Sequence, residues 1–132
     1  MRRLTFGIDF DGTIVEHVFP EIGKEYPLAI DALKFIKQRG HDIILFTCRE
    51  DCERKYLKEA IEWLRVRGVV PDSVNENTPY YQSQGYTSRK PFWDFLIDDS
   101  AGFRPENWNW VRGLVISMEG NDQNLAKYDG NG

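Results

Sequence analysis

The sequence predicts an α/β protein built around a parallel β-sheet. Short apolar segments alternate along the chain with longer stretches whose apolar residues recur at helical spacing. This alternation is typical of strand–helix–strand units, in which right-handed crossovers make the strands parallel. With 132 residues, 41% of them hydrophobic, the chain can bury one compact core but not two. We therefore expect a single domain over residues 1–132.

The first half of the chain contains two predicted strand–helix pairs. Leu4–Ile8 is a short apolar strand, and Leu28–Arg39 carries apolar residues on one helical face before a glycine ends it. Asp42–Phe46 is a second, buried strand. Glu50–Arg67 follows as a second amphipathic helix, and it also ends at a glycine.

The second half is less regular. Ser73–Val74 is a short third strand, and Thr78–Arg89 is a polar and aromatic loop without clear periodicity. Phe92–Ile97 and Leu114–Ser117 are predicted as the fourth and fifth strands from their apolar residues. The tail, residues 119–132, is polar and ends in glycine, so we expect it to be flexible.

Five polar side chains follow the predicted strands at their carboxyl ends, where open parallel sheets collect functional groups. Asp9 and Asp11 follow the first strand, Thr47 the second, and Asp98 and Asp99 the fourth. An aspartate–glycine step alone is also typical of a solvated turn. Carboxylates gathered in one cleft repel each other unless a cation neutralises them, and a small set of hard oxygen ligands favours Mg²⁺. The pattern therefore predicts a magnesium site.

Lys90 lies just before the fourth strand and is a candidate for adding a positive charge to the same edge. With Mg²⁺ and the hydroxyl of Thr47, it would form an electropositive pocket suited to a phosphoryl group. Two alternatives stay open: Arg89 could take the place of Lys90, and Thr47 could be a helix N-cap. We expect a site for phosphoryl transfer.

The motifs resemble those of the haloacid dehalogenase superfamily of aspartate-nucleophile phosphatases. The first motif is Asp9-Phe10-Asp11-Gly12-Thr13, and the second, third and fourth are matched by Thr47, Lys90 and Asp98-Asp99. They occur in the family's order between residue 4 and about residue 99. The resemblance implies a three-layer α/β/α sandwich with a Rossmann-like parallel sheet in the order 5-4-1-2-3.

The resemblance also implies a role for each matched residue. Asp9 is the nucleophile that forms an aspartyl-phosphate, and Asp11 protonates the leaving oxygen and later activates a water. Thr47 donates its hydroxyl to the phosphoryl group, whose charge Lys90 neutralises.

Magnesium would be held by the Asp9 side chain, the Asp11 backbone carbonyl, Asp99 and waters. Asp98 would act beside these ligands by orienting a water or the lysine of the third motif. Thr13 is interpreted as a structural hydrogen-bonder.

No stretch of the sequence is long enough for the cap domain that members of this superfamily often insert. The site is therefore expected to be open, either to serve a large substrate or to be covered by a second subunit of a homo-oligomer. The flap, Ile14–Ile22, is the first place to expect substrate contacts, through His17. Arg49 and Asn75 are further candidates for substrate binding. An ordinary exposed histidine and a helix-start salt bridge of Arg49 are the alternatives.

The predicted activity is magnesium-dependent hydrolysis of a phosphomonoester, with a phosphorylated small molecule such as a sugar phosphate as substrate. A nucleic-acid end or a phosphoprotein is the alternative substrate. A non-catalytic binding module that retains the fold is a third interpretation. Its usual sign is the loss of Asp9 or Asp11, and both are present.

Composition limits the partners. The formal net charge of −4 argues against a general nucleic-acid or anionic-membrane binder and leaves a local basic cleft as the alternative. The sequence has no apolar run of about 18 residues and no signal-type segment after its opening Met-Arg-Arg. We therefore expect a cytoplasmic protein without a membrane partner, in which Cys48 and Cys52 are free thiols.

Overall fold

The computed structural model describes residues 2–120, and within them four parallel strands form one sheet. The strands are β1 (Thr5–Ile8), β2 (Asp42–Leu45), β3 (Ser73–Val74) and β4 (Phe95–Ile97), in the order β3-β2-β1-β4. β1 lies between β2 and β4, with Phe6 paired to Ile43 on one side and to Phe95 on the other. Every residue of β1 and β2 is buried, which explains why both strands read as apolar runs.

Helices flank this sheet and share its core. They are α1 (Ala29–Gln38), α2 (Tyr56–Val66), α3 (Pro79–Ser83) and α4 (residues 111–120). α1, α2 and α4 each contribute buried apolar residues to the cluster that also contains the strands. The mixed α/β fold with a parallel sheet is therefore as predicted. None of the helices within residues 2–120 is long and apolar enough to cross a membrane.

The predicted fifth strand is wrong. Leu114–Ser117 lies within α4, and residues 2–120 contain no fifth strand. The sheet therefore matches only the 4-1-2-3 part of the order 5-4-1-2-3. Val111 and Val115 are both fully buried, and their spacing of four places them on one face of a helix. The short apolar run of residues 114–116 fits a strand as well as a helix and concealed this helical period.

One helix boundary and one additional helix also differ from the predictions. α2 begins at Tyr56 rather than near Glu50, because the intervening chain turns back. The carboxylate of Asp51 then accepts a hydrogen bond from the amide of Lys58 at 3.1 Å, which satisfies a donor in the first turn of α2. α3 forms inside the segment predicted as a loop, and the side chain of Thr78 caps its first turn.

Glu119 binds α4 to the rest of the fold, so the predicted flexible tail does not begin there. Its carboxylate accepts hydrogen bonds from Nη2 of Arg39 at 2.6 Å and from Nε2 of His41 at 2.5 Å. The other ring nitrogen of His41 accepts from the Leu4 amide at 3.0 Å, so the neutral ring carries its proton on Nε2. The hydrogen bond from Arg39 lowers the pKa of Glu119 against the effect of burial, and His41 assists. The remaining tail, residues 121–132, lies outside the described part of the chain.

Glu119→Gln should reduce stability near neutral pH but not in acid. Because its folded pKa is lowered, ionised Glu119 stabilises the fold above its unfolded pKa, and this contribution is lost as the pH falls through the folded pKa. At pH 7 we expect the free energy of unfolding, measured by urea denaturation, to fall by about 1–3 kcal/mol. The difference in unfolding free energy between wild type and variant should shrink as the pH drops below 4.5, the pKa of Glu119 in the unfolded chain.

The matched control is Glu62→Gln, which removes an exposed pair with Arg65 and should leave stability nearly unchanged. An equal loss for Glu119→Gln at about pH 7 and about pH 3 would contradict the assigned linkage.

Candidate functional site

Three strand ends deliver their polar residues to one edge of the sheet. Asp9 follows β1 directly, and its amide donates to the carbonyl of the last residue of β4 at 3.0 Å. Asp98 and Asp99 follow β4 directly, and Thr47 lies two residues past β2. These four residues and Asp11 line one cavity of about 400 Å³. The structure thus brings together the five polar residues that follow predicted strands.

Three of the acids form a tight cluster. Asp9, Asp98 and Asp99 each present a carboxylate oxygen within 4.8 Å of the other two. Burial, a hydrogen bond to Asp99 and the charge of Asp98 raise the pKa of Asp9 to about 7. Burial acts the same way on Asp99, but hydrogen bonds from Asp9 and Thr13 outweigh it and place the pKa of Asp99 below its usual value. A cation bound here would relieve both the burial cost and the mutual repulsion of the ionised carboxylates.

The clustered donors define the kind of metal that fits. All three are carboxylate oxygens, the ligand type that hard cations such as Mg²⁺, Ca²⁺ and Mn²⁺ prefer. One oxygen of Asp98 already accepts hydrogen bonds from the amide and the hydroxyl of Ser100, at 2.8 and 2.7 Å. The cluster therefore suits a divalent cation without selecting one.

The hydroxyl of Thr13 joins the two sides of the cluster. It lies 3.1 Å from a carboxylate oxygen of Asp9 and 3.1 Å from one of Asp99, and it accepts from the Asp99 amide at 3.0 Å. Since a hydroxyl has one proton, it donates to only one of the two acids at a time. Thr13 is fully buried, and its carbonyl accepts from the indole N–H of Trp108 at 2.8 Å. These contacts agree with its interpretation as a structural hydrogen-bonder.

The carboxylate of Asp11 faces Arg49 rather than the other acids. Nε and Nη2 of Arg49 donate to its two oxygens at 2.8 and 2.9 Å. Arg49 is only 2% exposed, although it borders the cavity. The sequence predicts a substrate contact or a helix-start salt bridge for Arg49. The structure places its guanidinium against the second acid of the first motif and not at the start of α2; the substrate contact stays a prediction.

Asn75 supports the turn that carries Thr47. Its side-chain amide accepts from the Thr47 amide at 2.8 Å and donates to the Thr47 carbonyl at 2.9 Å. The Thr47 hydroxyl accepts from the Arg49 amide at 3.1 Å, in a turn well before α2, so it does not cap that helix. Asn75 lines a separate polar cavity of about 500 Å³, together with Arg89.

Of the two remaining predicted residues, His17 lies at the acidic cavity and Lys90 does not. His17 lines the acidic cavity, as does Phe19 of the flap. Lys90 is exposed and does not line that cavity, and within residues 2–120 its side chain makes no hydrogen bond or ion pair with the acids. Cys48 and Ser100 also line the cavity. Neither was expected, and only their position beside predicted site residues could have indicated them.

The fold and the site define an α/β protein with an acidic pocket at the carboxyl edge of a parallel sheet. No protein-family model matches the chain, and no curated protein matches it. The solved structure of a conserved protein from Bacteroides thetaiotaomicron is similar, with 40% sequence identity and a TM-score of 0.75. The match covers 89% of this chain and 93% of that one. The chain therefore belongs to the same family as this Bacteroides protein.

Gly12→Ala should disturb the acid cluster as well as the backbone. Gly12 has a φ of +84°, where alanine costs about 1–2 kcal/mol, and a Cβ there would lie 2.7 Å from Oδ2 of Asp99. Gly40 has a φ of +85° and no other group within 4 Å of its Cβ position, so Gly40→Ala isolates the backbone cost. In urea denaturation, the loss of unfolding free energy should be larger for Gly12→Ala than for Gly40→Ala by about 1 kcal/mol or more. Equal losses would contradict the close approach of Asp99.

Proposed function

We propose that the chain is a magnesium-dependent phosphomonoester hydrolase of the haloacid dehalogenase superfamily that acts through an aspartyl-phosphate on Asp9. The observation that carries this proposal is the convergence of Asp9, Asp98 and Asp99 near Thr47 at the carboxyl edge of the sheet. The order of the motifs along the chain supports the same superfamily, and with it a three-layer α/β/α arrangement.

The metal ion would be held by the oxygens of Asp9, Asp98 and Asp99 and by the backbone carbonyl of Asp11. Few protein carboxylates, with waters and a substrate phosphate completing the set, favour Mg²⁺ over larger cations. When bound, the ion would neutralise charge on the acids and on the phosphoryl group. The carboxylate of Asp11 is not proposed as a ligand, because it faces Arg49 and does not belong to the cluster of carboxylate oxygens that lie within 4.8 Å of one another.

The proposed reaction consists of two displacements at phosphorus. A carboxylate oxygen of Asp9 attacks phosphorus, the bond to the ester oxygen breaks, and the leaving oxygen takes a proton from Asp11. Asp11 then takes a proton from a water whose oxygen attacks the same phosphorus, which releases phosphate and restores Asp9. The hydroxyl of Thr47 donates to a phosphoryl oxygen in both steps. For proton transfer, Asp11 must exchange a hydrogen bond with Arg49 for one with the leaving oxygen or the water.

The proposed substrate is a small phosphorylated metabolite such as a sugar phosphate. The cavity of about 400 Å³ has the size of small-molecule sites, and His17 and Phe19 of the flap line it. Lys90 lies outside the cavity, so its proposed role requires the segment between α3 and β4 to move towards Asp9 when substrate binds.

Asp9→Asn should abolish phosphate release, because the amide has nearly the same shape but is a poor nucleophile. We expect a loss of at least about 10³-fold in turnover on a panel of phosphorylated metabolites and para-nitrophenyl phosphate, assayed with Mg²⁺. Asp31→Asn, at an exposed position of α1, is the control and should behave as wild type. Turnover of Asp9→Asn within about tenfold of wild type, or no release by the wild type from any member of the panel, would contradict the proposal.

Asp99→Asn should weaken metal binding more than Asp98→Asn does. Both changes remove one carboxylate charge from the cluster. One oxygen of Asp98 is already occupied by Ser100, so Asp98 has less to offer the ion than Asp99 does. Titration calorimetry with MgCl₂ should show a dissociation constant raised by at least about tenfold for Asp99→Asn and by less for Asp98→Asn. The reverse order would transfer the larger ligand role to Asp98, and unchanged affinity in both variants would exclude a metal at this cluster.

A further inference from the structure

Arg49 has a guanidinium group whose five N–H donors all meet an acceptor. Two donate to the carboxylate of Asp11, at 2.8 and 2.9 Å. The other three donate to backbone carbonyls: those of Glu21 at 3.0 Å and of Pro20 and Tyr56 at 3.4 Å. The group is fully engaged although it carries a charge in an almost completely buried position.

Two of these carbonyls belong to the flap, which returns on itself as a hairpin. The Glu16 amide donates to the Lys24 carbonyl at 2.8 Å, and the Tyr26 amide donates to the Ile14 carbonyl at 2.9 Å. Arg49 also lies between two aromatic rings, at 5.3 Å from the ring centre of Phe10 and 5.1 Å from that of Phe19. Phe10 precedes Asp11 directly, and Phe19 is in the flap.

A buried charge of this kind is costly, and an apolar side chain would pack the same space without that cost. What an apolar side chain could not do is fix a carboxylate and a backbone loop in one mutual orientation, as a planar fork of donors can. The Asp11 side chain remains 12% exposed while it is held, and it borders the acidic cavity.

We propose that Arg49 is a positioning residue that clamps the flap to Asp11 and thereby fixes both at the acidic cavity. The role in turnover rests on the proposed function, because it acts through Asp11. The clamping of the flap is a property of the folded chain and can be measured without any substrate.

The first test is amide hydrogen exchange in Arg49→Met and Arg49→Lys. Without the fork, the amides of Glu16 and Tyr26 should exchange at least about tenfold faster. The amide of Phe46, bonded to the Ile8 carbonyl at 2.9 Å, should keep its protection and report an intact sheet. Arg49→Lys keeps the positive charge but lacks the planar set of donors, so it replaces Arg49→Met in this test if the methionine variant does not fold.

The matched control is Arg54→Met. Arg54 also binds a flap residue, but through the exposed carboxylate of Glu21, at 2.9 and 3.3 Å, and it does not contact Asp11. This variant should leave flap exchange within about threefold of wild type. Unchanged exchange in both Arg49 variants, or an equal increase in Arg54→Met, would overturn the clamp.

The second test combines Arg49→Met with Asp11→Asn. If Arg49 acts through Asp11, kcat should fall at least about tenfold on the fastest alkyl ester of the panel, less on para-nitrophenyl phosphate, and little further when Asp11→Asn is added. The positioning role would be overturned if the two substitutions reduced kcat by factors that multiply in the double variant. It would also be overturned if Arg49→Met reduced kcat equally for both esters. If the wild type releases no phosphate at all, the proposed function fails, whereas the exchange experiment still decides the clamp.

Discussion

The buried hydroxyl of Thr13 is the interaction on which the acidic site depends. β1 and β4 are paired only as far as Ile8 and Ile97, and just beyond them the chain places carboxylates that repel one another. Thr13 bridges this point through Asp9 and Asp99. The bridge is itself held from the C-terminal part of the chain, since the indole of Trp108 binds the Thr13 carbonyl. The cluster is therefore a product of tertiary packing and not of the first motif alone.

The sheet and its acids could be predicted because they follow from local patterns. Asp9 and Asp98 come directly after short apolar segments, and parallel strands place their carboxyl ends at one edge. The segment Leu114–Ser117 shows the limit of the same reasoning. A run of three apolar residues followed by a serine fits a strand and a helix equally well, and only the burial of Val111 and Val115 on one side decides between them.

The interactions that sequence reasoning missed join residues far apart in the chain. Arg49 and Asp11 are separated by 38 positions, and no periodicity indicates which of several acids a guanidinium will contact. Asn75 likewise reaches back 28 positions to Thr47. Lys90 shows a second limit of sequence reasoning. A motif match identifies the residue in the sequence, but it does not determine the conformation of the loop that carries the residue.

The two acids of the first motif differ by the partners that the fold gives them. Asp9 lies among like charges, with Asp98 and Asp99 within 4.8 Å, so its environment favours a proton or a bound cation. The charge of Asp11 is already balanced by Arg49. A divalent ion would therefore gain more at Asp9 than at Asp11 and would favour the ionised form of Asp9 that the proposed attack requires. The pair with Arg49 favours ionised Asp11, so the proposed proton donation by Asp11 requires this contact to open first. The proposed division of roles between the two acids of the first motif therefore depends on the bound cation at Asp9 and on the freedom of Asp11 to leave Arg49.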